Sequence, residues 1–428
     1  MYSIKKINKF HLSILISLIF AISVPLYAQN KKMDSLLLLL RTAKEDTNKV
    51  AVFSELAMEI SRSNPDSALR FAIKGLELAT KLNRKEAMAA ADNNLGIFSR
   101  RLGNYDASIH YYLDALDLYD KLEKETDGKT KIKIQAKKFK SMGNLGFVYA
   151  EKSNYPMALN YFFKVLKNAE ETGNKKAIAR NLTNIAGVYF KTNNNAKTAE
   201  YYGRALKMFE EIDDKGSVAT VLSNFAGFYE SRGDHTKALD YCFKALKIFE
   251  EIDDKNNWAM TLGNIGNIYR QQKEVATAFA YYQKALKIKE ETDDKGGIAI
   301  LMGNMGELYL SDGKFKEAEF YLKRSLALDE ATGSLEGQVL RTNYLNALYE
   351  KTGQHKLAFE YFKKYIGLRD SITNEANTKK QTMLEMQYEF DKKSAADSIR
   401  NTEAKRFEEI KHLQEISRQK TFTYGGLA

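Results

Sequence analysis

Small and aromatic residues recur along this chain every forty residues, against a background of apolar positions three and four apart. The clearest copy runs from Thr261 to Asp294, with Gly266, Tyr269, Ala278, Tyr282, Ala285 and Leu286 as landmarks. Forty residues earlier the same columns hold Ala226, Tyr229, Ala238, Cys242, Ala245 and Leu246, and forty later Gly306, Tyr309, Ala318, Leu322, Ser325 and Leu326. Such a period marks a solenoid of helical pairs, in which each unit buries its apolar face only against its neighbours. The fold class predicted is all-α.

One column counts the units. It holds Gly75-Leu76, Ala115-Leu116, Val165-Leu166, Ala205-Leu206, Ala245-Leu246, Ala285-Leu286, Ser325-Leu326 and Tyr365-Ile366, which predicts eight helix pairs. The step from Leu116 to Leu166 is ten residues too long. The surplus falls near Lys121 to Ile134 and carries the run GKTKIKIQAKKFK, a basic linker or a helix extension, read as a solvated connection before a polyanion site. Gly96, Gly146, Ala186, Ala226, Gly266 and Gly306 are small enough to let the two helices of a pair approach. Tyr149, Tyr189, Tyr229, Tyr269, Tyr309 and Tyr349 fill the adjacent core. Residues 29–48 are expected to form a helix that covers the open end of the stack. Between units, EEIDDKGS, EEIDDKNN and EETDDKGG place paired aspartates where a helix begins. They lack the alternating spacing of a calcium loop and read as N-caps.

Only three prolines interrupt 428 residues, which agrees with an all-helical chain. The net charge of +11 is modest for this length, and no long basic run or nucleic-acid motif dominates, so nucleic acid is not an expected partner. Cys242 is alone, which excludes an internal disulfide, and its column otherwise holds Tyr202, Tyr282 and Phe362, so it reads as an apolar filler. His235 and His355 share a column with Tyr105, Tyr155, Val275 and Phe315 and read as packing residues. No paired general acids, activated nucleophile, phosphate loop or metal cluster emerges, so neither enzymatic activity nor a cofactor is expected.

The termini point to export. Lys5, Lys6 and Lys9 precede an apolar stretch from Leu12 to Val24, and Ala28 offers a cleavage site, so residues 1–28 read as a secretory signal. Residues 371–421 contain no glycine or proline. Met383, Met386, Phe390, Phe407 and Ile410 trace a broken apolar seam, read as a weak coiled coil through which two copies could pair, or as a single solvated helix. Residues 422–428 turn apolar after Arg418 and Lys420. A membrane span needs about 20 apolar residues, so this run reads as the incomplete start of one.

Gly266, Tyr269, Ala278, Tyr282 and Ala285 resemble the tetratricopeptide repeat (TPR) pattern in order and spacing, with Leu262 in place of its tryptophan and no proline closing the unit. The forty-residue spacing is similar to the long-repeat branch of that family, over residues 49–370. The resemblance implies a right-handed superhelix of about eight helix pairs that binds proteins or peptides. The order of signal, repeats, charged helix and apolar onset also resembles bacterial membrane-anchored TPR signalling proteins. In those, a span leads to a cytoplasmic histidine kinase, serine phosphatase or nucleotide cyclase. It implies a periplasmic sensory region anchored to the inner membrane. A self-contained periplasmic scaffold for envelope assembly is the alternative.

On a helical wheel of about 100° per residue, Asn264 lies opposite Leu262, Gly266 and Tyr269 and so faces away from its partner helix, toward the concave surface. It recurs as Asn94, Asn144, Asn184, Asn224 and Asn304, although helices do not favour asparagine. A carboxamide donates and accepts together, so such a ladder can hold a peptide's main chain whatever its side chains, and the family resemblance implies this use. The alternative is that the amides only bridge adjacent repeats. The same sector carries Arg101, Lys140, Glu151, Arg180 and Lys191 in the earlier repeats, but Thr220, Ser231, Met260, Gln271, Ile300 and Ser311 in the later ones. The groove is thus expected to be basic at one end and neutral at the other, and to take a ligand with an acidic segment.

Overall fold

The computed structural model describes residues 24–61 and 65–372. The expected secretory signal (1–28), linker helix (371–421) and start of a span (422–428) lie almost wholly outside the described residues. Every regular element described is helical. Helix α1 (Val24–Thr42) precedes eight pairs. The first four are α2 (Thr47–Ile60) with α3 (Pro65–Lys81), α4 (Lys85–Arg101) with α5 (Tyr105–Glu125), α6 (Gly128–Glu151) with α7 (Tyr155–Glu171), and α8 (Lys175–Lys191) with α9 (Asn195–Glu211). The next four are α10 (Lys215–Glu230) with α11 (His235–Glu251), α12 (Lys255–Gln271) with α13 (Val275–Glu291), α14 (Lys295–Ser311) with α15 (Phe315–Thr332), and α16 (Leu335–Lys351) with α17 (355–372). The chain divides into two compact units, Met1–Phe362 and Lys363–Ala428. The first contains the repeats as far as Phe362 in α17, and the described residues of the second, 363–372, are helical. This is the all-α solenoid that the forty-residue columns predict.

Two local differences have physical causes. The helix before the repeats ends at Thr42 rather than at 48, because Asp46 starts α2 by accepting hydrogen bonds from the N–H groups of Asn48 (2.8 Å) and Lys49 (3.3 Å). The ten-residue surplus is helix extension. It lengthens α5 to 21 residues and α6 to 24, against 17 in α8. Ile134 of the basic run is buried, and Lys138 sits between Asp120 (2.5 Å) and Glu123 (2.9 Å), so the run is partly neutralised from within.

The inter-unit turns use both aspartates. Asp213, Asp253 and Asp293 take left-handed backbone, with φ of 51°, 53° and 50°. Asp214, Asp254 and Asp294 then accept from the N–H groups of Ser217 (3.2 Å), Asn257 (3.1 Å) and Gly297 (2.9 Å) and cap the next helix.

Within a pair, the small residue of the first helix receives a side chain from the second. A Cβ placed at Gly96, Gly146 or Gly266 would lie 2.8, 2.8 or 2.6 Å from the rings of Tyr112, Phe162 and Tyr282. Where the first helix carries Ala226, the facing position is the smaller Cys242, buried in the same cluster. Burial pushes the Cys242 thiol up to about 12, so it stays protonated and packs as an apolar group. The tyrosine column also has a partner column twelve residues on. Tyr149–Tyr161, Tyr189–Tyr201, Tyr229–Tyr241, Tyr269–Tyr281, Tyr309–Tyr321 and Tyr349–Tyr361 stack with centroids 5.4–5.8 Å apart.

Asp92 breaks the core pattern. It is 4% exposed in a column that elsewhere holds Met142, Leu182, Leu222, Leu262 and Met302, and its carboxylate takes no hydrogen bond among the described residues. Burial, with a smaller contribution from Asp114, pushes its pKa well above the ordinary carboxylate range. A carboxyl that binds its proton more tightly folded than unfolded loses stability for the fold as pH rises from its unfolded to its folded pKa. Asp92→Leu is therefore expected to raise stability at neutral pH by about 1–3 kcal/mol, the cost of a buried polar group without a partner. It should also flatten the pH dependence above the ordinary carboxylate range. Calorimetric melting across pH checks both.

Candidate peptide-binding face

Side chains bridge the first helices of some successive pairs. Ser141 donates to Asn93 (2.9 Å), Arg100 pairs with Glu151 (2.7 Å), Gln271 donates to Glu230 (2.8 Å) and Arg270 pairs with Glu307. These bridges join α4 to α6, α10 to α12 and α12 to α14.

Asn94, Asn144, Asn184, Asn224 and Asn304 are half-buried and Asn264 is exposed. Asn144 donates to Asn93 of the preceding repeat at 3.4 Å. The other five carboxamides make no hydrogen bond with any described residue. Bridging between repeats therefore accounts for one copy of the column and leaves five with free donor and acceptor capacity.

The flanking charges divide in the same way. Arg101 is exposed but its guanidinium donates to Ser61 Oγ of the preceding repeat, and Glu151 is held by Arg100. Lys140, Arg180 and Lys191 are exposed and have no ion-pair partner among the described residues. In the later repeats the polar members of the sector are turned back on the protein. Thr220 donates to the Gly216 carbonyl (2.8 Å), Ser231 to Phe228 (2.8 Å) and Ser311 to Leu308 (2.7 Å), while Gln271 is held by Glu230.

Lys191 and Ser231 meet at an open notch of about 420 Å³ between the fourth and fifth pairs, lined also by Phe190, Asn193, Asn195 and Arg232. Asn193 reaches it on left-handed backbone, with φ of 56°. Arg232 has no ion-pair partner among the described residues, its guanidinium lying 5.7 Å from the Phe228 ring centroid. The notch thus presents two cations beside amide groups, a setting for a carboxylate. Arg232 reads in sequence only as part of a turn before Gly233, and its place beside Lys191 depends on the stacking of two repeats. No group of three histidine, cysteine, aspartate or glutamate side chains converges on a metal position among the described residues, and no described helix is long and apolar enough to cross a membrane.

Two models described as tetratricopeptide repeat match the chain, one at residues 139–211, 217–291 and 259–331, the other at 89–123. Together they span over half of it. The chain belongs to the tetratricopeptide repeat family. The signal transduction ATPase of the STAND type with a TPR sensor from Pyrococcus horikoshii is similar in structure at 17% identity and a TM-score of 0.53, over 80% of this chain and 53% of that one. The apo quorum sensor NprR of B. thuringiensis is similar at 15% identity and a TM-score of 0.49, over 81% of this chain and 99% of that one. The apo form of RapI is similar at 18% identity and a TM-score of 0.48, over 67% and 99%. At 17% identity the likeness to the Pyrococcus horikoshii protein shows the fold alone. No match was found among curated protein sequences.

Proposed function

We propose that the first-helix face of this TPR array binds a linear peptide, or an extended segment of a partner protein, without catalysis. The supporting observation is the repeat-spaced column of Asn94, Asn184, Asn224, Asn264 and Asn304, whose carboxamides bond to no other described group. A main chain laid across them would gain a donor and an acceptor per repeat. Lys140, Arg180 and Lys191 would meet an acidic segment of the ligand, and salt would then weaken binding. The secretory pattern of residues 1–28 supports a wider reading, that the array is the periplasmic sensory part of a signal transducer.

A peptide selected on the wild-type protein from a random phage-displayed library supplies the probe. Asn184→Ala with Asn224→Ala is expected to weaken its binding by about tenfold or more, the equivalent of one to two lost hydrogen bonds, with helical content unchanged. Unchanged affinity would overturn the asparagine-ladder reading. N-terminal sequencing of protein recovered from cells should begin at Gln29; recovery of Met1 would contradict cleavage after Ala28 and point to an uncleaved anchor.

A further inference from the structure

The later half of the face, read from sequence as neutral, is apolar. Met260 is 50% exposed, Ile300 57% and Leu340 50%. The three share one position, four residues before Asn264, Asn304 and Tyr344 in the sixth, seventh and eighth pairs, so each lies one helical turn from the asparagine column. That position holds Ala90 in the second pair and then Lys140, Arg180 and Thr220 in the third to fifth, the stretch from which the gradient starts. A single register along the array therefore runs from cations, through a hydroxyl already bonded to its own helix, to three half-exposed aliphatic side chains. Exposed apolar side chains scattered singly need no partner, but three at one repeat-spaced position beside free carboxamides form a directional surface.

We propose that the groove is bipartite and sets the direction of its ligand, taking an acidic segment on Lys140, Arg180 and Lys191 and apolar side chains on Met260, Ile300 and Leu340. This rests on the peptide-binding reading above. The occupant that fits is a linear peptide with unlike ends. A second copy of this chain would have to present acidic and apolar groups along one line in reverse order. Spacing narrows the ligand further. Packed helices lie about 8–10 Å apart, and a polyproline-II chain, with three residues per turn and a rise of about 3.1 Å, returns the same side every three residues, or about 9 Å. The apolar part of the ligand should therefore present an apolar side chain at every third residue.

The test selects from a random peptide library of roughly eighteen residues, enough for six repeats at about three residues each. Three forms of the protein are used. The wild type is expected to enrich sequences with acidic residues at one end and apolar residues every third position toward the other. Met260→Ser, Ile300→Ser and Leu340→Ser combined should abolish the apolar pattern, keep the acidic one and weaken a wild-type-selected peptide by about tenfold or more. Lys140→Gln, Arg180→Gln and Lys191→Gln combined should do the converse and remove the salt dependence. All six positions are exposed, and circular dichroism verifies that each variant stays folded. The proposal falls if the serine variant enriches the same sequences as wild type, or if apolar residues recur at heptad spacing, which would make the ligand helical. It also falls if the wild type self-associates and the serine variant does not, which would make the stripe a contact between copies. Failure of the wild type to enrich any peptide would overturn the peptide-binding reading itself, and this inference with it.

Discussion

Tyr282→Ala should cost about 3–5 kcal/mol, the range for removing a fully buried aromatic side chain. The ring is 0% exposed, fills the space above Gly266 and donates its hydroxyl hydrogen bond to Asn267 Oδ1 at 2.7 Å. Collapse into the void is restricted, because Gly266 has no side chain to move into it. The position also magnifies the effect. A solenoid is held by nearest-neighbour contacts, so weakening the sixth pair loosens the coupling between those before and after it. Urea unfolding should therefore shift to lower denaturant and lose cooperativity, separating into two transitions. Tyr282→Phe keeps the ring and should cost only about 0.5–1.5 kcal/mol, for one hydrogen bond. Equal losses for the two variants would show that the ring does not carry the packing.

Arg341→Met is expected to cost a similar amount for a different reason. Arg341 and Asp329 are 5% and 3% exposed and lie 3.5 Å apart, and Arg341 Nε donates to Ser325 Oγ at 2.8 Å. Glycines bracket the pair. A Cβ at Gly303 would fall 2.1 Å from the guanidinium carbon, and one at Gly337 2.3 Å from Asp329 Oδ1. Burial pushes Asp329 above the ordinary carboxylate range and Arg341 below its usual value, so desolvation outweighs the attraction for both partners. Removing the arginine strands a buried carboxylate, a loss of about 3–5 kcal/mol at neutral pH. With its cation gone, Asp329 would bind its proton still more tightly in the folded state, so the loss should shrink toward acid pH. Adding Asp329→Leu should restore most of the stability. A double variant no more stable than Arg341→Met would contradict this account.

What the sequence made legible follows from where repetition acts. The eight pairs, the small-residue contacts and the aspartate caps lie in columns that several copies restate, so aligning the copies exposes them. Features that depend on one copy departing from its column stay hidden. Arg341 stands where other repeats hold Ser141, Asn181, Val221, Thr261 and Leu301, and only the stacking of three helices brings it to Asp329. Asp92 is likewise an exception to the leucine or methionine that the third to seventh pairs hold in its column. The stacked partners Tyr161 to Tyr361 are periodic and were open to detection by their twelve-residue offset from the first tyrosine column.

The candidate site was legible in outline. The wheel places the asparagines off the core, but not which carboxamides are spoken for. It treats Arg101 like Lys140, although Arg101 is tied to Ser61. It also lists Ser231 and Gln271 as groove polar groups, whereas their donors are bound to Phe228 and Glu230. Hydrogen-bond partners across forty residues are a property of the packed array, and only the structure supplies them.

The central claim is that a ligand's main chain lies along the free carboxamides of the first-helix layer. A crystal structure of the array with a library-selected peptide tests it most directly. The account predicts peptide N–H and carbonyl groups within hydrogen-bond distance of the side chains of Asn184, Asn224 and Asn304, with the acidic end toward Lys140. A peptide bound on the second helices, with those asparagines untouched, would contradict it.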